Sequence, residues 1–106
     1  MSDRRVDAIF SALADPTRRS VMRLLSEGDA NATEIAEQLP ISRQAVSKHL
    51  SALSEAGLVT SERDGREKRY RFTPEPLHGA VSWMADVGAR WDDRLDALQR
   101  LLEGSG

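Results

Sequence analysis

The feature that most restricts how this chain can fold lies in its last third. There Leu77, Val81, Met84, Gly88, Trp91, Leu95, Leu98 and Leu102 follow one another in alternating steps of four and three. This is the heptad-like spacing of a narrow apolar seam, rather than the broader stripe by which a helix packs on a globular core. It predicts one long helix over residues 75–102 that needs a facing partner. A chain of 106 residues buries a smaller share of its surface than a larger one, so covering the seam with a second copy is a large gain. Gly88 costs such a helix about 1 kcal/mol relative to Ala, which is better explained where another backbone comes close.

Upstream, prolines and glycines cut the chain into short elements. Val6, Ile9, Phe10 and Leu13 recur at helical spacing and predict a first helix from Asp3 to Ala14. Asp15-Pro16 ends it, because proline pushes the preceding residue out of the α region. Pro16 then opens a second helix over 16–27, with Asp15 as N-cap, Val21, Met22, Leu24 and Leu25 inward, and Gly28 at its end. Thr33 is the predicted cap of a short third helix with Ile35, Ala36 and Leu39 on its apolar side, and Pro40 forbids its continuation. Ser42 caps a fourth that runs to about Ala56, with Val46, Leu50 and Leu53 inward and Gly57 after its end. The period then changes to two. Leu58 to Arg63 and Lys68 to Thr73 read as strands around an Asp64-Gly65 turn, with Tyr70 and Phe72 inward.

The predicted fold is mainly α with a small β component (α+β), in one domain over 1–106: four helices, a β-hairpin and a long last helix. Two short, tightly joined helices over 33–56 have the layout of a helix-turn-helix, and the hairpin over 58–73 is the wing that follows one. No cysteine is present, which excludes disulfides, thiolate metal sites and cysteine nucleophiles. Two histidines far apart and no glycine-rich phosphate loop give an enzyme little to work with, so neither catalysis nor a cofactor is expected. The first fifteen residues lack a signal-peptide core and no stretch of eighteen is apolar, so the chain is expected in the cytoplasm, away from membranes.

A net charge of −2 is unpromising for a nucleic-acid ligand, but its distribution is uneven. Residues 1–40 carry −2, residues 41–73 +3 and residues 74–106 −3. The basic third contains the fourth helix, whose exposed side offers Ser42, Arg43, Gln44, Ser47, Lys48 and His49. An Arg can make two hydrogen bonds to guanine and a Gln two to adenine, which makes Arg43 and Gln44 the primary base-reading candidates and Ser47 and His49 secondary ones. Lys48 and the free amides at the Ser42 end suit phosphate. The hairpin adds Arg63, Arg66, Lys68, Arg69 and Arg71; of these Arg66, Lys68 and Arg69 are assigned to phosphate or minor-groove contact. Any solvated surface can carry such residues, His49 can instead hydrogen-bond within the fold, and Arg18 can pair with Asp15 or reach phosphate.

Three strings, "ALADPTRRSVMRLL" at 12–25, "EIAEQLPISRQAVSKHLSALSEAGLV" at 34–59 and "RDGREKRYRFT" at 63–73, resemble the ArsR/SmtB family of winged helix-turn-helix repressors. The resemblance implies a homodimer held by its first and last helices, which binds inverted repeats in double-stranded DNA and represses transcription. It would place Val6 and Phe10 in the dimer interface beside Leu77, Val81, Met84, Gly88, Trp91, Leu95 and Leu98, while Trp83, off the seam, packs on the winged domain. Metal-sensing relatives carry cysteines where this chain has Thr33 to Glu37, and its last helix has one histidine, His78, with Asp86, Asp92, Asp93 and Asp96. A non-metal-sensing branch is therefore expected, with no metal site. A small-molecule effector could bind between Met84, Trp83, Trp91 and the first helix, although packing alone accounts for those residues. The acidic total also admits a different class, a winged-helix module that binds a protein partner.

Overall fold

The computed structural model describes residues 4–104. Its order is α1 (Arg4–Ala14), α2 (Pro16–Glu27), β1 (Ala30–Asn31), α3 (Ala32–Gln38), α4 (Arg43–Glu55), β2 (Val59–Asp64), β3 (Glu67–Phe72) and α5 (Leu77–Gly104). Asp3, the expected start of the first helix, lies outside the described residues.

The helices start and stop where side chains or glycines can satisfy their free backbone groups. Asp15 accepts from the amides of Thr17 at 2.8 Å and Arg18 at 3.1 Å, and Pro16 takes the first helical position, where its missing N–H is no loss. Ser42 Oγ accepts from the Ala45 amide at 3.1 Å and opens α4. At the other end Gly57, at φ 75°, carries the chain out of α4: its N–H reaches the Ser54 carbonyl and the Leu58 N–H the Leu53 carbonyl. These bonds form a Schellman closure, with Leu53 and Leu58 both fully buried beneath it.

Three expectations are corrected. The cap of α3 is Asn31, not Thr33: its Oδ1 accepts the Glu34 amide at 2.8 Å while Glu34 Oε1 accepts the Asn31 amide at 2.9 Å, a reciprocal pair that starts the helix at Ala32. The sheet has three strands rather than two, in the order β1-β3-β2 and antiparallel throughout. β1 is a two-residue strand in which Ala30 faces Tyr70 and Asn31 faces Arg69. The hairpin turn is Gly65-Arg66, one residue later than expected, since Asp64 pairs with Glu67. Gly65 takes its first position at φ 66°, where a type II′ turn calls for glycine.

The core gathers residues from every helix and from the sheet. Ile9, Val21, Leu25, Ile35, Val46, Leu50, Leu53, Leu58, Val59 and Ala80 are each at most 3% exposed, and Phe10, Leu13, Leu24, Tyr70, Phe72 and Leu77 pack around them at partial burial. α5 joins this core only through its first turns and meets the rest of the chain mainly at α1. At about 1.5 Å per residue its 28 residues run roughly 42 Å, which explains an overall extent of 72 × 30 × 20 Å.

Candidate nucleic-acid interface

α4 is held with its apolar stripe against α2 and α3, so its other side is fixed outward by packing rather than by chance. Gln44, Ser47, Lys48 and Ser51 follow at three- and four-residue steps on that exposed side, with Ser42 and Arg43 exposed at its start. Ser51 lies one turn beyond Ser47 and is absent from the candidates named above, although the same spacing reaches it. His49 is on the flank instead. It is half-buried, and its Nδ1 accepts a hydrogen bond from Arg18 Nε at 3.3 Å across the α2–α4 contact. Through this bond His49 serves the packing of α4 on α2.

Arg18 and Arg19 are likewise occupied. Arg18 Nη1 donates to the Ser11 carbonyl at 3.5 Å and Arg19 Nη1 to the Leu13 carbonyl, so both tie α2 to α1. The N–H of Arg18, then that of Thr17 and the charges of His49 and Arg18, hold the Asp15 carboxyl below its ordinary value, outweighing the opposing effect of burial.

The wing divides into two faces with different charge balance. Thr60, Glu62 and Asp64 lie opposite Arg71, Arg69 and Glu67. On that face Arg69 Nη1 is 3.2 Å from Glu34 Oε1 and 3.5 Å from Glu67 Oε2, and Arg71 Nε is 3.6 Å from Asp29 Oδ1. The other face sets Arg63 directly across from Lys68, with Lys68 Nζ 5.9 Å from the centre of the Tyr70 ring. Like charges facing across a strand pair are unfavourable unless a third party neutralises them. Arg66 sits exposed at the turn between them. Among the described residues no ion pair involves Arg63, Arg66 or Lys68. Arg63 therefore joins Arg66 and Lys68 as an outward cation, and Arg69, grouped with them from the sequence, has its donors turned to the protein's own acceptors. The signal for Arg63 was present in the strand pairing, but it needed the turn to be placed correctly.

The second exposed surface is apolar. Along α5, Val81, Met84, Trp91, Leu95, Leu98, Leu101 and Leu102 are each about half or more exposed, and Gly88 opens onto empty space. Leu77, assigned to the same seam, instead packs on the core. Trp83 meets Phe10 edge-to-face, with ring centres 5.5 Å apart, as expected for a residue that packs on the winged domain. Val6, Asp7, Phe10 and Trp83 line a pocket of about 390 Å³; Met84 and Trp91, expected in it, do not. Among the described residues no three His, Asp or Glu side chains gather as metal ligands, and no helix is long and apolar enough to cross a membrane.

A recognition helix capped by Ser42, a tight turn before it and a basic hairpin behind it define a winged helix-turn-helix transcriptional regulator. A family model described as a helix-turn-helix domain matches residues 13–62. The transcriptional repressor SdpR of Bacillus subtilis is 34% identical over 87 residues, covering 82% of this chain and 97% of SdpR. An ArsR-like transcriptional regulator from Rhodococcus sp. RHA1 superposes with a TM-score of 0.90 at 38% identity, covering 98% of both chains. A homodimeric winged helix-turn-helix DNA-binding domain from Mycobacterium bovis gives a TM-score of 0.64 at 28% identity, over 91% of this chain and 92% of that one. The chain belongs to the ArsR family of winged helix-turn-helix transcriptional regulators.

Proposed function

We propose that this protein is a cytoplasmic repressor that binds an inverted-repeat operator as a homodimer, through the exposed side of α4 and the outward cations of the wing. The observation that carries this reading is the fixed orientation of α4: with Val46, Leu50 and Leu53 at 0–1% exposure, Arg43, Gln44, Ser47 and Lys48 have no alternative but to face outward. Arg43 and Gln44 read bases; Lys48, the amides behind Ser42, Arg63, Arg66 and Lys68 hold phosphates. A second copy covers the seam of α5, with Val6 and Phe10 of α1 at its margin. The two recognition helices then enter major grooves about one helical turn apart, roughly 34–36 Å.

The family of regulators, and a relative named as a repressor, favour this reading over a module that binds only protein. The pocket at Val6, Asp7, Phe10 and Trp83 is where an apolar effector would enter, next to the dimer contact. Fluorescence anisotropy with duplexes tiled across the region upstream of the protein's own gene tests the reading. One tile should be retained with a steep salt dependence and a stoichiometry of two chains per duplex. Equal, weak retention of every tile would overturn operator recognition.

A further inference from the structure

The stem of the wing is joined to the first helix of the helix-turn-helix by a closed ring of polar contacts. Arg69 Nη1 contacts Glu34 Oε1 at 3.2 Å. The same Glu34 oxygen accepts the Asn31 N–H at 2.9 Å, and Asn31 Oδ1 accepts the Glu34 N–H at 2.8 Å. Asn31 Nδ2 donates to Glu67 Oε1 at 2.9 Å, and Glu67 Oε2 returns to Arg69 Nη1 at 3.5 Å. Arg69 Nη2 adds the Asp29 carbonyl at 3.0 Å. Two members of the ring, Asn31 and Glu34, are the capping pair of α3; the other two, Glu67 and Arg69, belong to β3.

From this ring we infer that Arg69 is a positioning residue, which sets the angle of the wing relative to α4 through the cap of α3 and does not itself hold phosphate. The inference rests on the duplex-binding reading above. Three acceptors already occupy the guanidinium, and moving it to a phosphate would leave Glu34 and Glu67 facing each other without a counter-charge. Partly exposed ion pairs contribute little to stability one at a time, so the ring acts through geometry. α3 keeps its own capping pair if Arg69 is lost, and the wing then pivots about the short β1–β3 pairing.

The test uses the full chain and its retained duplex, with Arg69→Ala, Arg69→Lys, Glu34→Gln and Arg63→Ala compared across a salt series and by hydroxyl-radical footprinting. Arg69→Ala should weaken binding about tenfold, leave the slope of log affinity against log salt unchanged, and erase only the protections at the outer, wing-contacted ends. Glu34→Gln should give the same pattern, and combining the two should add little. Lysine should not rescue, because an ammonium cannot bridge the ring, whereas it would replace a simple phosphate ligand. Arg63→Ala should instead flatten the slope by about 0.9. An Arg69→Ala variant that flattens the slope as Arg63→Ala does, with Glu34→Gln silent or Lys restoring affinity, overturns the positioning role while the duplex-binding reading stands. Wild-type protein that retains no duplex overturns both.

Discussion

Helices α4 and α5 are each amphipathic, yet α4 buries its apolar stripe inside its own chain while α5 leaves most of its seam uncovered. Val46, Leu50 and Leu53 are sealed by α2, α3 and the sheet, and what remains is a polar surface of Arg, Gln, Ser and Lys. Beyond Ala80, α5 instead presents Trp91 at 56% and Leu95 at 56% exposure. A polar surface is content in water and can bind and release a polar partner. An exposed seam of this size is not, because large apolar patches on a lone soluble chain favour association. The contrast is that α4 satisfies its apolar stripe within one chain, whereas α5 leaves a seam that the proposed second copy would cover.

Placing charge in the seam is the strongest way to break that contrast. The double variant Leu95→Glu, Leu98→Glu would force carboxylates into the helix–helix contact, where unpaired charge is costly. Sedimentation velocity should show a single chain, and operator affinity should fall by more than about a hundredfold once two half-sites no longer share one body. Circular dichroism should still show the folded winged portion, because neither residue touches its core. A variant that remained dimeric would move the interface off α5.

The next effect in size concerns the polar side. Arg43→Ala or Gln44→Ala should each reduce discrimination between the operator and a base-substituted duplex by about 1–3 kcal/mol, with little change in non-specific binding. Competition titrations with single-base variants measure this directly. Equal losses on every duplex would turn these residues into phosphate contacts. Smaller again is the wing. Arg63→Ala and Lys68→Ala should weaken all sequences alike, and each should flatten the salt slope by about 0.9. Because the two cations face each other across the strands, removing one should also slightly stabilise the free protein, a gain visible as a small rise in melting temperature.

The contrast between the two helices was legible in the sequence because both stripes are local patterns. The bounds of α2 were legible for a similar reason: Asp15-Pro16 and Gly28 are signals that act within one turn. Pairings over long distances were not. β1 has two residues and no period, and its partner Arg69 lies 38 positions away from Asn31. The α3 cap is different: Asn31 and Glu34 form a local Asn-x-x-Glu capping pair, a signal within one turn that the choice of Thr33 passed over. The intramolecular partners of Arg69 and His49, Glu34 and Arg18, lie 35 and 31 residues distant, beyond the reach of any local pattern. Charge and exposure pick out a surface, and only tertiary contacts separate the cations left exposed on it from those bonded within the fold.

The smallest predicted effect sharpens the comparison at the base of the body that carries α4. Asp15 caps α2 through the amides of Thr17 and Arg18, and these hold its carboxyl below the ordinary value of 3.8. A carboxyl depressed in the folded state adds stability that is fully present above its unfolded value and is lost as pH falls through the folded one. Asp15→Asn keeps a side-chain oxygen for the cap but cannot titrate. At neutral pH the variant should therefore melt slightly below the wild type, and as pH falls below about 3.8 the wild type should lose the component that the variant never had, so the two curves converge. Paired thermal melts from pH 7 downward provide the measurement, with Asp15→Ala as the variant that loses the cap at every pH. Wild-type and Asp15→Asn curves that stay parallel through the acid range would mean that the carboxylate charge adds nothing to capping, and that α2 is anchored by Arg18 and Arg19 alone.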